Sequence, residues 1–156
     1  MTQAINLELR GGETKSFTDL VLDYTGTLSL DGTLLSGVAQ RLERLAKNVR
    51  ITVLTADTFG KAKDQLAGLP VDLHVIETGQ DKAQMVKNLG AERVIAIGNG
   101  RNDMPMMAIA GLKIAVIGPE GASAELLLVA DVVVSNILDA MDLLTNPLRL
   151  KATLRD

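Results

Sequence analysis

The chain has 156 residues, a formal net charge of -3 and a sequence pI near 5.2. Hydrophobic residues make up 47% and aromatic residues only 2%, so Val, Ile, Leu, Ala and Met must fill the core, while the acidic balance lacks the basic patch of a nucleic-acid binder. Zero cysteines exclude disulfides and thiolate metal sites, and neither a basic-then-apolar leader nor a membrane-length apolar run occurs, so we expect one soluble, cytoplasmic domain over residues 1–156 with no nucleic-acid or membrane partner.

In chain order, Ile5-Asn6-Leu7-Glu8-Leu9 alternates apolar with polar and Arg10-Gly11-Gly12-Glu13 supplies a turn, which predicts an edge hairpin feeding a sheet. Leu20-Val21-Leu22 is a continuous apolar run of the kind buried on both faces of a parallel sheet, and it stops on Asp23. Ligands of open α/β sheets collect outside the carboxyl ends of the strands, so Asp23 is placed for chemistry, although a strand-end Asp can also cap a turn. Gly26 permits a tight turn, with the hydroxyls of Thr25 and Thr27 on either side. Leu30-Asp31-Gly32-Thr33-Leu34 carries an Asp-Gly hairpin signal and predicts a small flap over the site.

Val38, Leu42, Leu45 and Ala46 recur at helical spacing, and Asn48 closes the segment. Strands are then predicted at 51–54, 71–76, 94–97, 113–117 and 131–134. Helices are predicted near 60–66 and over 82–89, 122–130 and 138–144, with Asn146-Pro147 breaking the last before an amphipathic tail. Strands alternating with helical patterns imply an α/β fold, a Rossmann-like three-layer sandwich with a mainly parallel sheet.

Polar residues recur where these strands end. Thr55, Ala56 and Asp57 follow the second buried strand; Gly98-Asn99-Gly100-Arg101-Asn102-Asp103 follows the strand at 94–97, with Pro105 suited to the first turn of the next helix; Lys82 begins the helix between them. A carboxylate, a hydroxyl, a cation and an Asn/Asp pair in one crevice suit phosphoryl transfer, in which Lys82 and a hard cation neutralise the phosphoryl oxygens as Asp23 attacks phosphorus. Arg101 reads equally as a phosphate contact or an exposed loop residue, and Asp57 as a catalytic assistant or a helix cap. Lys87 competes with Lys82 for this role from further into the helix, and helix-start geometry alone does not decide between them. His74, the only histidine, reads as a structural or surface residue, and Met104, Met106 and Met107 as packing against the sheet.

These motifs resemble those of the haloacid dehalogenase-like (HAD) superfamily. Asp23-Tyr24-Thr25-Gly26-Thr27 resembles the first motif, Thr55 the second, Lys82 the third and Gly98 to Asp103 the fourth. Within the superfamily the likeness is to the phosphorylation domain of P-type ATPases, with Asp-Lys-Thr-Gly-Thr, Thr-Gly-Asp and Gly-Asp-Gly-x-Asn-Asp, and to soluble P-type-ATPase-like proteins. The resemblance implies a Mg2+-dependent phosphohydrolase acting through an aspartyl-phosphate on Asp23. Lys82 is the second catalytic residue; Thr25, Gly26, Thr55, Ala56, Lys82 and Asn102 bind phosphate; Asp23, Thr25, Asn99 and Asp103 hold the metal.

Three departures shape the expectation. Tyr24 replaces the pump's Lys, with its side chain turned away from its neighbours. Asn99 replaces a metal-ligating Asp, so a carbonyl oxygen must serve and metal affinity should fall. The interval from Thr27 to Thr55 is too short for a nucleotide-binding domain, and neither loop that usually carries a cap holds one. Transport is excluded, tight ATP binding is not expected, and only the flap at 28–35 covers the site. HAD phosphatases carry a second Asp where Thr25 stands, so slow turnover favouring good leaving groups is expected. The partner is a small phosphorylated substrate or a phosphoprotein, with a homo-oligomer, a tetramer first, completing the open site. A phosphate- or phosphoprotein-binding module and a receiver-like switch are the alternatives.

Overall fold

The computed structural model describes residues 4–56 and 60–156. The first hairpin forms from β1 (Ile5–Glu8) and β2 (Thr14–Phe17), paired antiparallel. It is a separate two-stranded sheet instead of an edge of the main one. The register turns Ile5, Leu7 and Phe17 into the core, and the chain steps off at Thr18, whose amide bonds the Arg93 carbonyl.

From Thr18 the chain enters β3 (Asp19–Asp23), followed by the flap strands β4 (Ser29–Leu30) and β5 (Thr33–Leu34) and then by α1 (Val38–Leu45). The Asp-Gly signal is met in full: Asp31 and Gly32 both take positive φ, +52° and +85°, as the tight turn between two paired strands requires. Next come β6 (Arg50–Thr55), α2 (Lys61–Leu66), β7 (Asp72–Val75) and α3 (Gly79–Leu89). β8 (Val94–Gly98), α4 (Met104–Ile109), β9 (Leu112–Val116), α5 (Ala124–Val129), β10 (Val132–Val134), α6 (Ile137–Thr145) and α7 (Pro147–Leu154) complete the chain.

The main sheet has six strands in the order β10-β9-β8-β3-β6-β7, and every neighbouring pair is parallel. Period-two alternation divides its side chains between two layers of helices. Leu20, Leu22, Ile95 and Ile97 pack with Val38 and Leu42 of α1 and with Ala140 and Met141 of α6. Val21, Ala96 and Ala115 face the other way, toward Val86 of α3, Met106 and Met107 of α4 and Leu126 of α5. The result is the three-layer α/β arrangement expected from the pattern.

β3 sits in the middle of the sheet, and the chain builds first to one side of it (β6, β7) and then to the other (β8, β9, β10). That reversal opens a crevice at the carboxyl ends of the strands. Because all six strands are parallel, the loops after β3, β6, β8 and β9 emerge together at that end, and α3 starts there as it leaves β7. His74 lies exposed on the edge strand β7.

One junction leaves no room for a side chain. A Cβ on Gly111, between α4 and β9, would stand 2.2 Å from the Glu92 carbonyl oxygen and 2.9 Å from the Phe17 ring, while its amide bonds the Ala91 and Val94 carbonyls. Gly111→Ala should therefore lower stability in urea unfolding by about 1–3 kcal/mol, the usual cost of overpacking. An unchanged midpoint would show that the backbone there yields freely.

Candidate active site

The site begins with Asp23, which ends β3 in register with Leu54 of β6 and keeps only 5% of its surface exposed. Its neighbour Tyr24 turns to the other side, is itself buried, and donates its hydroxyl to the Gly32 carbonyl at 2.8 Å, beneath the flap. The Tyr24 carbonyl gathers the loop that follows: it accepts from the amides of Thr27, Leu28 and Ser29 and from the Ser29 hydroxyl. This tight return leaves Thr25 exposed at the mouth and brings Thr27 back, fully buried, beside Asp23.

Lys82 arrives from α3. That helix starts at Gly79, earlier than the apolar pattern indicated, because Thr78 caps it by accepting from the Asp81 amide at 3.1 Å. Lys82 thus lies one turn inside the helix instead of at its beginning. Its side chain is 1% exposed, and its ammonium donates to Asp23 Oδ1 at 2.9 Å and to Asp103 Oδ1 at 2.8 Å. The competing Lys87 is exposed on the same helix.

Asp103 is fully buried. Its second oxygen, Oδ2, accepts from the backbone amides of Asn99 and Gly100, each at 3.0 Å, and so ties down the loop that carries it. These three partners, Lys82 and the two amides, leave acceptor capacity on Asp103 Oδ1, since a carboxylate offers about four lone-pair sites. In this geometry the residue holds Lys82 and its own loop.

Two carboxylates around one ammonium leave the buried cluster with a net negative charge. The Asp23 carboxyl accordingly shifts from the ordinary 3.8 up to about 7: burial is the main cause, the Asp103 charge adds to it, and the Lys82 ammonium opposes it. Lys82 shows the balance from the other side. Burial works against its charge, but Asp23 and Asp103 outweigh burial and raise its pKa above the ordinary lysine value.

The remaining residues divide. Thr55 is buried at the end of β6, next to the Asp23 register; Ala56 and Asn102 are exposed at the mouth. Gly26 takes φ +77°, and a Cβ there would stand 2.5 Å from Asn99 Nδ2, so only glycine lets the first loop lie against Asn99. Arg101 points away, 3.8 Å from Glu125 with both side chains exposed. Asp57 lies outside the described residues. Thr27 carries more than the motif reading assigned to it: its hydroxyl stands 3.3 Å from Asp23 Oδ2 and 3.2 Å from Asn99 Oδ1 and bridges the first and fourth motifs. The signal for it was the tight turn at Gly26, which returns the chain toward Asp23.

Among the described residues no group of three or more His, Cys, Asp and Glu stands together to hold a metal ion. What the site offers is the Asp23 and Asp103 carboxylates with the neutral oxygens of Thr25 and Asn99, a hard-donor set with an excess of negative charge. That fits Mg2+, which binds through one or two carboxylates and keeps several waters. A cleft of about 840 Å³ lies at the opposite end of the sheet, among Arg10, Glu92, Gly111 and Asp131, with charges of both signs. No helix among the described residues is long and apolar enough to cross a membrane.

The sign of the Asp23 shift sets a test. A carboxyl raised in the folded state stabilises the fold fully below its unfolded value of 3.8, and that contribution is lost as pH climbs through about 7. Asp23→Asn removes this dependence and keeps the Lys82 pair with Asp103. Relative to wild type, the variant should therefore gain stability between pH 4 and 8, with a slope of at most about 1.4 kcal/mol per pH unit. Parallel urea-unfolding profiles across that range would contradict the burial of an ionisable Asp23.

Comparison with known proteins places this geometry. A model of haloacid dehalogenase-like hydrolases matches residues 70–139, which include Lys82 and the loop from Gly98 to Asp103. An uncharacterized protein of Methanocaldococcus jannaschii is 54% identical over 65 residues, covering 42% of this chain and 70% of that protein. Among solved structures, the cobalt-bound deoxy-D-mannose-octulosonate 8-phosphate phosphatase of Haemophilus influenzae superposes with a TM-score of 0.69 at 18% identity, over 83% of this chain and 85% of that one. The 3-deoxy-D-manno-octulosonate 8-phosphate phosphatase of Moraxella catarrhalis, in complex with magnesium, phosphate and a sugar acid, superposes at 0.65 with 17% identity, over 88% and 92% of the two chains. At such identities the structures speak for the fold, and the family match speaks for the lysine and the fourth-motif loop set into it. The chain belongs to the haloacid dehalogenase-like hydrolases.

Proposed function

We propose that the protein is a Mg2+-dependent phosphohydrolase that works through an aspartyl-phosphate on Asp23. The observation that carries this reading is the buried pairing of Asp23 with Lys82 and Asp103: an acid at a strand end, held by a lysine and left with uncompensated negative charge. Structural relatives whose names give a phosphorylated substrate support it.

In this reaction Asp23 attacks phosphorus in line as the bond to the leaving oxygen breaks. Among the described residues its Oδ2 has the longer contact, 3.3 Å to Thr27, and is the freer oxygen, while Oδ1 stays on Lys82. Water then attacks the acyl phosphate, phosphate departs, and the Asp23 carboxylate is restored. Lys82 holds Asp23 in place and supplies positive charge for the phosphoryl oxygens; Thr25, Gly26, Thr55, Ala56 and Asn102 line the phosphate's seat. Asp23, Thr25, Asn99 and Asp103 would hold Mg2+, which would supply further charge neutralisation and favour the ionised nucleophile. Asp103 keeps Lys82 and the fourth-motif loop in position. We extend the reading to one domain over residues 1–156, a cytoplasmic setting and a homo-oligomer, with a tetramer as the form to look for by sedimentation.

With p-nitrophenyl phosphate and Mg2+, Asp23→Asn should lower kcat by about a thousandfold or more, and Lys82→Ala by about a hundred- to a thousandfold. Equal rates from wild type and Asp23→Asn would refute the nucleophile and favour a phosphate-binding module.

Thr25 gives a second test. It stands exposed two residues after Asp23, with a hydroxyl that is a poor acid and a poor base at neutral pH. Loss of a general acid and base costs about a hundred- to ten-thousandfold where the leaving oxygen must be protonated and little where it need not be. Acyl phosphates and p-nitrophenyl phosphate should therefore outrun sugar phosphates, acid quenching should trap phosphate on Asp23 during turnover, and Thr25→Asp should speed alkyl phosphate hydrolysis. Preference for alkyl esters with no trappable intermediate would mean that another residue supplies the proton, with Asp57 the first to test.

A further inference from the structure

Asn99 takes part in more contacts than a metal-ligand position requires. Its Nδ2 donates to the Gly121 carbonyl at 3.0 Å, and its own carbonyl accepts from the Ser123 amide at 2.8 Å, so the far end of the loop after β9 is fastened twice to one residue. The Gly121 carbonyl can only accept, which fixes the carboxamide with its nitrogen toward that loop and its oxygen toward Thr27. Within the loop the Gly121 amide closes a turn on the Gly118 carbonyl, and Glu120 stands at the tip. Glu120 Oε2 accepts from the Asp31 amide at 3.3 Å, and the Asp31 carbonyl accepts from Lys61 Nζ at 2.9 Å. The flap tip is thus clasped from both walls of the crevice, by the β9 loop through Glu120 and by α2 through Lys61.

We propose that Asn99 is a positioning residue that fastens the β9 loop, and through Glu120 the flap, over the Asp23 well. Aspartate at this position keeps an oxygen toward Thr27 but sets a second oxygen against the Gly121 carbonyl, so the exchange strengthens the cation seat and releases the wall of the mouth. This gives a physical reason for asparagine where the family pattern has aspartate: the amide nitrogen does work that a carboxylate cannot.

The test is backbone hydrogen exchange on the full chain without substrate or metal, combined with p-nitrophenyl phosphate kinetics at saturating Mg2+. Asn99→Asp should speed exchange by about tenfold or more in both residues 117–123 and residues 28–35, whereas Glu120→Ala should speed it only in residues 28–35. Both variants should raise KM by a larger factor than they lower kcat, and Asn99→Asp should also lower the Mg2+ concentration needed for half-maximal rate. Unchanged exchange in 28–35 for Asn99→Asp, with only the Mg2+ requirement shifted, would overturn the proposal, because Asn99 would then be a ligand seat alone. If Asn99→Asp does not fold, the surface variant Glu120→Ala decides: unaltered flap exchange and unaltered KM overturn the link. The exchange readout does not depend on hydrolysis, so an inactive wild type would sink the proposed reaction and leave this inference to be decided by exchange.

Discussion

The structure turns on one buried ammonium between two carboxylates. Lys82, Asp23 and Asp103 come from three different parts of the chain, and each is almost sealed from water. Charges so buried must pair, and a cluster of two negatives and one positive pairs incompletely. Each remaining polar contact limits that imbalance: the amides of Asn99 and Gly100 on Asp103, and the Thr27 hydroxyl beside Asp23. Burial first, and the Asp103 charge next, push the Asp23 carboxyl up to about 7, so the cluster resists a second full negative charge and suits a cation that would offset it.

The sheet makes that cluster possible. A strand run as apolar as β3 belongs in the middle of a parallel sheet, with helices on both faces. Reversal of strand order at β3 then places the loop after β8 beside the loop after β3, and the start of α3 between them. Asp23 and Asp103 are 80 positions apart in the chain and meet at Lys82 only because of this order. A fold of the same composition with another strand order would leave three unpaired charges.

The mouth follows different rules. With no inserted cap between β3 and β6, the cover consists of a four-residue ladder of flap strands that accepts single hydrogen bonds from Tyr24 and Lys61 and donates single ones to Gln65 and Glu120. Such a cover is weak beside the core beneath it, since exposed bonds to solvent-facing side chains contribute little.

Much of the fold was legible from local pattern. The period-two and continuous apolar runs, the Asp-Gly turn and the helical spacing each name an element, because they reflect backbone geometry acting over a few residues. The order of the motifs at strand ends identified Asp23 and Lys82, and the resemblance they carry led to the hydrolase family that the comparisons show. Local pattern could not locate the start of α3, since Gly79, Gln80 and Asp81 carry no apolar period and the cap is a single hydroxyl on Thr78. It also could not show that Asp103 faces Lys82, that Thr27 bridges Asp23 to Asn99, or that Asn99 fastens Gly121. These contacts join residues distant in the chain, and their partners are chosen by strand order and loop approach. The sequence by itself therefore determined which segments become strands and helices and which acid ends the central strand. Only the tertiary structure decided which charges share that acid's burial, because burial is a property of the packed sheet and helices together.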